Sequence, residues 1–224
     1  DGTNVNQLVL EGVFGKCSKV TKTETLMKKG HLAQLKIKIL LLKHEEKLFE
    51  GYQDEIEYLT EHENRNKFIR NLACDLEGNT LVLFNYVEKH GLPLHELINS
   101  YTDKSVYLVH GGVETEDREE IRWLTERSSN SIIVASLGTF STGINIKNLH
   151  NVIFASPSKS RIRNLQSIGR VLRKGENKSK ATLYDIADDI STDTGKNYTL
   201  RHLYERIKIY NEENFNYEVV EITI

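Results

Sequence analysis

Cysteine and proline are scarce: the 224 residues hold two of each, with one tryptophan and one methionine. Cys17 and Cys74 lie far apart without CxxC spacing, which excludes a zinc ribbon and a disulfide framework and leaves two packed thiols. Low-complexity tracts and internal repeats are absent, and Pro93 and Pro157 are the only prolines. No stretch of 18 apolar residues occurs, so a membrane-spanning helix is not expected. Asp1-Gly2-Thr3-Asn4 has neither the basic nor the apolar region of a secretory leader, and the expected location is the cytoplasm. The first residue is not Met, and the chain reads as a piece of something longer. A phosphate loop is also lacking. Gly15-Lys16 is followed by Cys17 where Ser or Thr is required to ligate Mg²⁺, and Leu10 stands where the first Gly belongs.

What is present is a hydrophobic content of 38%, enough for a substantial core, and a net charge of −2 that conceals segregation. Glu45 to Glu63 holds eight acidic residues against one Lys, whereas Ser156 to Lys180 holds eight Lys or Arg against one Glu. The second block attracts polyanions.

Short apolar runs alternate with amphipathic segments. Thr23 to Lys29 reads as a short helix stopped by Gly30, and Leu35 to Leu42 as a strand. Glu45 to Cys74 reads as a helical pair with apolar stripes at Leu48, Tyr52, Ile56, Leu59 and at Phe68, Leu72. Strands follow at Thr80 to Phe84, Val106 to Val109, Ile132 to Ala135, Val152 to Ala155 and Ala181 to Ile186. Between them lie helices at Tyr86 to Ser100 and Glu114 to Arg127, and beyond them a helix at Tyr198 to Asn211 and a strand at Tyr217 to Ile224. This rhythm predicts an α/β fold with a mostly parallel sheet covered on both faces. In such sheets ligands meet the loops at the carboxyl ends of strands.

Three segments follow strands directly: Phe84-Asn85, His110-Gly111-Gly112, and Ser136 to Asn145. The last is read as a Gly-containing loop whose backbone N–H and hydroxyl groups suit a phosphate or sugar, with an ordinary turn as the alternative. A lipase-like G-x-S-x-G is excluded, because Gly138-Thr-Phe-Ser141-Thr-Gly143 is one residue too long. Asp185, Asp188 and Asp189 superficially suit a metal-dependent phosphotransfer site, but without a phosphate loop Asp188 is expected to cap a turn. His110 is expected to be a hydrogen-bonded strand-end residue rather than a general base.

The sharpest pattern runs from Ser158 to Gly175, S-K-S-R-I-R-N-L-Q-S-I-G-R-V-L-R-K-G. On a helix, Gln166, Arg170 and Arg173 fall at i, i+4 and i+7 along one stripe, with Leu165, Ile168, Val171 and Leu172 on the opposite arc. Gly169 beside that stripe permits close approach. Taken alone, the stripe is equally a solvated basic face.

S-L-G-T-F-S-T-G-I-N followed about twenty residues later by Q-S-I-G-R-V-L-R-K-G resembles motifs V and VI of superfamily 2 helicases, in their second RecA-like domain. T-L-V-L-F-N-Y-V-E-K-H-G resembles motif IV, and V-Y-L-V-H-G-G with Arg118 downstream resembles the strand and loop between. The resemblance covers Gly78 to Asp189. It implies a RecA-like domain at 78–190, preceded at 1–77 by a linker strand and helical segment leading from a first motor domain, and followed at 191–224 by a C-terminal helix and strand. It also implies roles. Arg170 and Arg173, with Gln166, face the γ-phosphate of ATP; Gly143 and Asn145 face the nucleotide, although Asn145 stands where many relatives carry Asp. Thr139, Asn85, His110 and Gly111 meet the nucleic-acid backbone. Lys159, Arg161 and Arg163 serve either the duplex or the partner domain.

Neither a Walker A Lys nor a DEAD-type Mg²⁺ box occurs in the 224 residues, so ATP and Mg²⁺ are expected to be held mainly by the first motor domain, and this piece alone is expected to be inactive. The implied activity is that of the C-terminal half of an ATP-dependent DNA helicase acting on branched recombination and replication intermediates. Two other readings remain open: a non-catalytic nucleic-acid-binding module using the basic 156–180 block, and a structural domain whose arginines pair with the acidic helices.

Overall fold

The computed structural model describes residues 23–143, 146–156, 168–169, 180–193 and 195–224. Seven strands are present among them: β1 (Gln34–Lys43), β2 (Thr80–Phe84), β3 (Val106–Val109), β4 (Ile132–Ser136), β5 (Asn151–Phe154), β6 (Lys180–Asp189) and β7 (Tyr217–Thr223). They form one sheet in the order β3-β4-β2-β5-β6-β1-β7, with every neighbouring pair parallel. The expected mostly parallel sheet is therefore parallel throughout. It runs continuously through strands from all three expected segments.

The helices are α1 (Thr23–Lys28), α2 (Tyr52–Glu61), α3 (Glu63–Asp75), α4 (Leu92–Asn99), α5 (Thr115–Arg127), α6 (Leu137–Gly143) and α7 (Tyr198–Glu212), with a single π-helical turn at Val87–Gly91. Strand side chains alternate between faces, so each strand feeds two cores. Ile37, Ile39, Leu81, Leu83, Val152, Phe154 and Leu183 pack on one face with Phe140, Leu203 and Tyr210. Leu42, Val82, Phe84, Ile153 and Ile186 pack on the other with Ile69, Ala73, Leu94 and Ile98. Helices thus cover both faces, as α3 and α4 on one and α6 and α7 on the other.

Local structure follows from particular side chains. Gly30 ends α1 at φ 72°, and its N–H donates to Met27 O at 3.0 Å. Glu55 is fully buried and serves as the cap of α7: its carboxylate accepts from the N–H groups of Tyr198 and Thr199, both at 2.7 Å, and from the Thr199 hydroxyl at 2.6 Å. At the amino edge of the sheet, buried Asn79 donates to Thr125 O, Ser128 O and Asn148 O and accepts from the Ser131 N–H.

Four details depart from expectation. The helix expected at Tyr86 to Ser100 opens as the π turn, in which the Gly91 N–H donates to Tyr86 O at 2.8 Å. The turn lies so close to the sheet that a Cβ on Gly91 would stand 2.3 Å from Phe84 Cζ. Ser136 to Asn145, expected as a loop, is helical from Leu137 to Gly143, because Leu137 and Phe140 are buried and anchor a turn that its glycines alone would not favour. Leu48 lies before α2 and is 74% exposed, while the charged Glu55 takes the buried stripe beside Leu59. Asp188 is no turn cap. An even-numbered residue of β6, it points towards α3 and is buried in an ion pair.

Candidate nucleotide and nucleic-acid interface

Because all strands are parallel, their carboxyl ends share one edge. β3, β4, β2 and β5 are consecutive in the sheet, with Val109 level with Ala135, Phe84 level with Ser136 and Leu83 level with Phe154. His110 and Gly111, Thr139, Asn85 and Ser156 therefore follow four adjacent strand ends, each about 4.8 Å from the next.

His110 Nδ1 accepts from the Gly112 N–H at 3.1 Å, which makes it the hydrogen-bonded strand-end residue expected. Gly111 is exposed, a Cβ there would touch nothing, and its carbonyl accepts from Arg118 Nη2 at 3.1 Å. Thr139 Oγ1 accepts from the Ser136 hydroxyl at 2.8 Å within the first turn of α6. Gly143 closes α6. Asn85 turns its amide inwards, and Nδ2 donates to Ser156 O at 2.6 Å. Asn145, Gln166, Arg170, Arg173, Lys159, Arg161 and Arg163 lie outside the described residues. Ile168, on the arc opposite the arginine stripe, is 2% exposed and belongs to the core cluster with Val152, Phe154 and Leu183.

Behind this edge lies a buried polar network that sequence reasoning missed. Arg65 of α3 donates through Nε to Asp188 Oδ1 at 2.8 Å, and through Nη2 to Asp188 Oδ2 at 3.0 Å and Ala155 O at 2.7 Å. His44 Nε2 donates to Asp188 Oδ1 at 2.9 Å. Burial pushes the Asp188 carboxyl up, but the Arg65 guanidinium and the hydrogen bonds of His44 and Arg65 outweigh it and hold the group at about 2. His90 joins Ser156 Oγ at 2.7 Å to Asn66 Oδ1 at 3.2 Å. Asn66 Nδ2 donates to Thr60 O at 2.8 Å, so Asn66 Oδ1 is the acceptor. His90 therefore carries its proton on Nε2, and Nδ1 accepts the Ser156 hydroxyl. Burial, with Arg65 nearby, lowers the His90 imidazole to about 3 and keeps it neutral.

A signal for these residues existed. Arg65, Ile69 and Ala73 recur at i, i+4 and i+8 and are all buried; a charge in register with a buried stripe marks a buried ion pair.

Among the described residues no group of three His, Cys, Asp or Glu is arranged to hold a metal, and no helix is long and apolar enough to cross a membrane.

The all-parallel sheet with helices on both faces is a RecA-like fold, the fold of helicase C-terminal domains. Residues 63–175 match the helicase conserved C-terminal domain, and the chain belongs to that family. It is 40% identical to the ATP-dependent DNA helicase uvsW of Enterobacteria phage T4, over 99% of this chain and 47% of that protein. The crystal structure of T4 UvsW superposes with a TM-score of 0.73 at 38% identity, over 86% of this chain and 42% of that one. A putative ATP-dependent RNA helicase of Acanthamoeba polyphaga mimivirus is 31% identical over 67% of this chain and 29% of its own length. A fragment of a putative HsdR subunit of a type I restriction enzyme from Vibrio vulnificus shares the fold, with a TM-score of 0.71 at 15% identity over all of this chain and 43% of that one. The chain spans less than half the length of these relatives.

Proposed function

We propose that this chain is the C-terminal motor half of an ATP-dependent DNA helicase or translocase that acts, in the cytoplasm of its host cell, on branched recombination and replication-fork intermediates. The reading is carried by family membership together with the placement of His110, Gly111 and Thr139 on adjacent strand ends of one sheet edge. Residues 1–77 lead from a first RecA-like domain, 78–190 form the second, and 191–224 extend it. ATP and Mg²⁺ are held mainly by the first domain, where the metal neutralises phosphate charge.

The chain's own residues complete the site. Gly143 and Asn145 face the nucleotide, Gln166 orients the reacting end, and Arg170 and Arg173 stabilise charge as the γ-phosphoryl group passes to water. Gly111 offers an open backbone to a nucleic-acid phosphate, with His110 and Thr139 beside it. Closure of the two domains on ATP brings the arginines to the phosphates, and opening moves the DNA-facing loops by a step.

The test is ATP hydrolysis by the longer parent protein, wild type against Arg170→Ala, with nucleotide binding measured alongside and branched DNA present or absent. Turnover is expected to fall on the order of 10³-fold or more while ATP still binds. Unchanged turnover would overturn the arginine-finger role and favour a binding module, whose affinity falls steeply with salt and ignores ATP.

A further inference from the structure

Ala155 and Ser156 are the last described residues before the segment that carries Gln166, Arg170 and Arg173. Every polar group of this dipeptide is engaged. The Ala155 and Ser156 N–H groups both donate to Leu83 O, at 2.9 and 3.3 Å. The Ala155 carbonyl accepts from Arg65 Nη2 at 2.7 Å and the Ser156 carbonyl from Asn85 Nδ2 at 2.6 Å. The Ser156 hydroxyl donates to His90 Nδ1 at 2.7 Å.

Three side chains from α3, from the end of β2 and from the π turn thus converge on two residues. Two are themselves held, Arg65 by Asp188 and His90 by Asn66, and Asp188 in turn has its carbonyl fixed by Asn197 Nδ2 at 3.0 Å. A strand end needs none of this to stop, since solvent satisfies exposed carbonyls. Such convergence fixes the direction in which the chain leaves the sheet. Ile168, buried in the core, is a second fixed point two residues before Arg170.

We propose that Asn85, Arg65 and His90 form a clamp on Ala155-Ser156 that positions the arginine-bearing segment for ATP hydrolysis, which makes Asn85 a positioning residue rather than a nucleic-acid contact. The proposal rests on the arginine-finger reading above. Its chemistry is geometric: arginines must reach the phosphates to within a few tenths of an ångström, and a displacement of about 1 Å costs on the order of 100-fold in rate.

The test uses the longer parent protein with its preceding motor domain. Asn85→Asp keeps the side-chain shape but sets an acceptor against Ser156 O. With saturating ATP and DNA, kcat is expected to fall about 10- to 100-fold, while KM for ATP, DNA affinity and the salt dependence of that affinity stay within twofold. Arg65→Lys, which keeps a charge for Asp188 but lacks the planar fork, is expected to show the same split. Ser156→Ala deletes a single hydroxyl and keeps the test decisive if the other two fold poorly; a severalfold loss in kcat at unchanged KM supports the clamp. Weakened DNA binding with kcat intact in Asn85→Asp would restore the contact role and overturn the proposal. So would an unchanged kcat in all three. Arg170→Ala measured in parallel separates the failures: if it alone abolishes turnover, only the clamp is wrong, and if it too is harmless, the finger reading falls with it.

Discussion

β6 carries two buried aspartates three residues apart, and since neighbouring side chains alternate, Asp185 and Asp188 face opposite sides of the sheet. Each pairs with a buried arginine, yet the two pairs are built differently. Asp185 accepts from Arg206 Nε at 2.9 Å and from the Tyr210 hydroxyl at 2.8 Å, both from α7, while Arg206 Nη1 and Nη2 have no hydrogen-bond partner among the described residues. Asp188 accepts from Arg65 and His44, and Arg65 passes on to the Ala155 carbonyl. The first pair pins one helix to one strand. The second joins α3, β1, β5 and β6 at the edge where the strand ends gather. In the first pair burial lowers Arg206, and the Asp185 carboxylate, with the Tyr210 hydroxyl, more than offsets it and brings the net shift upwards. The comparison teaches that a buried ion pair is informative through what else its partners hold.

The largest expected effect is single removal. Asp185→Ala and Asp188→Ala each leave a buried guanidinium uncompensated, and each is expected to lower the unfolding free energy by about 3–5 kcal/mol in denaturant titrations. A loss below about 1 kcal/mol at either site would mean that the pair there is solvated.

Acid sensitivity is next, and His90 is its main source at the edge. His90, lowered to about 3 in the fold against an ordinary 6.5, binds its proton more readily when unfolded. Its contribution is therefore complete above about pH 6.5 and is lost as pH falls towards 3, with a slope approaching 1.4 kcal/mol per pH unit. Asp188, held at about 2, adds a further loss only below about pH 4. Stability measured from pH 7 to 4 should fall steeply in wild type and flatten in His90→Gln; equal slopes in the two would show that His90 is not kept neutral.

Joint replacement at the Asp185 cluster should have the smallest effect, and its contrast with the same change at Asp188 separates the pairs most sharply. Asp185→Leu, Arg206→Met and Tyr210→Phe together remove every polar atom of an isolated cluster, and the triple variant is expected within about 1 kcal/mol of wild type. Asp188→Leu with Arg65→Met strands the Ala155 carbonyl and His44 Nε2, each costing about 1–3 kcal/mol. Equal outcomes in the two combinations would erase the distinction.

Strand positions were legible because short apolar runs between amphipathic segments admit few alternatives, and β2 and β3 fall where their periodicity puts them. The strand order was not, since nothing local tells Leu35 that its neighbours are Ala181 and, two residues on, Tyr217. α6 was hidden by its glycines and hydroxyls, which mark loops on average but here are overruled by the burial of Leu137 and Phe140. Asn85 was readable as a strand-end polar residue, but the inward turn of its amide depends on Ser156, 71 positions away. Arg65 lay two residues past the acidic block, in a helical segment read for its apolar stripe at Phe68 and Leu72 rather than for one cation on the buried face.

The position of β1 has a cost in time. It is the first strand of the sheet to be synthesised, yet its two neighbours are the last, and Lys43 meets Asp189 across a separation of 146 residues. During synthesis Ile39-Leu40-Leu41-Leu42 must wait beside the ribosome for partners not yet made, and non-local parallel pairing of this kind closes slowly. An unpaired apolar strand of this kind invites wrong association, and Lys36, Lys38 and Lys43 within and beside it set like charges against one another wherever two copies pair in register.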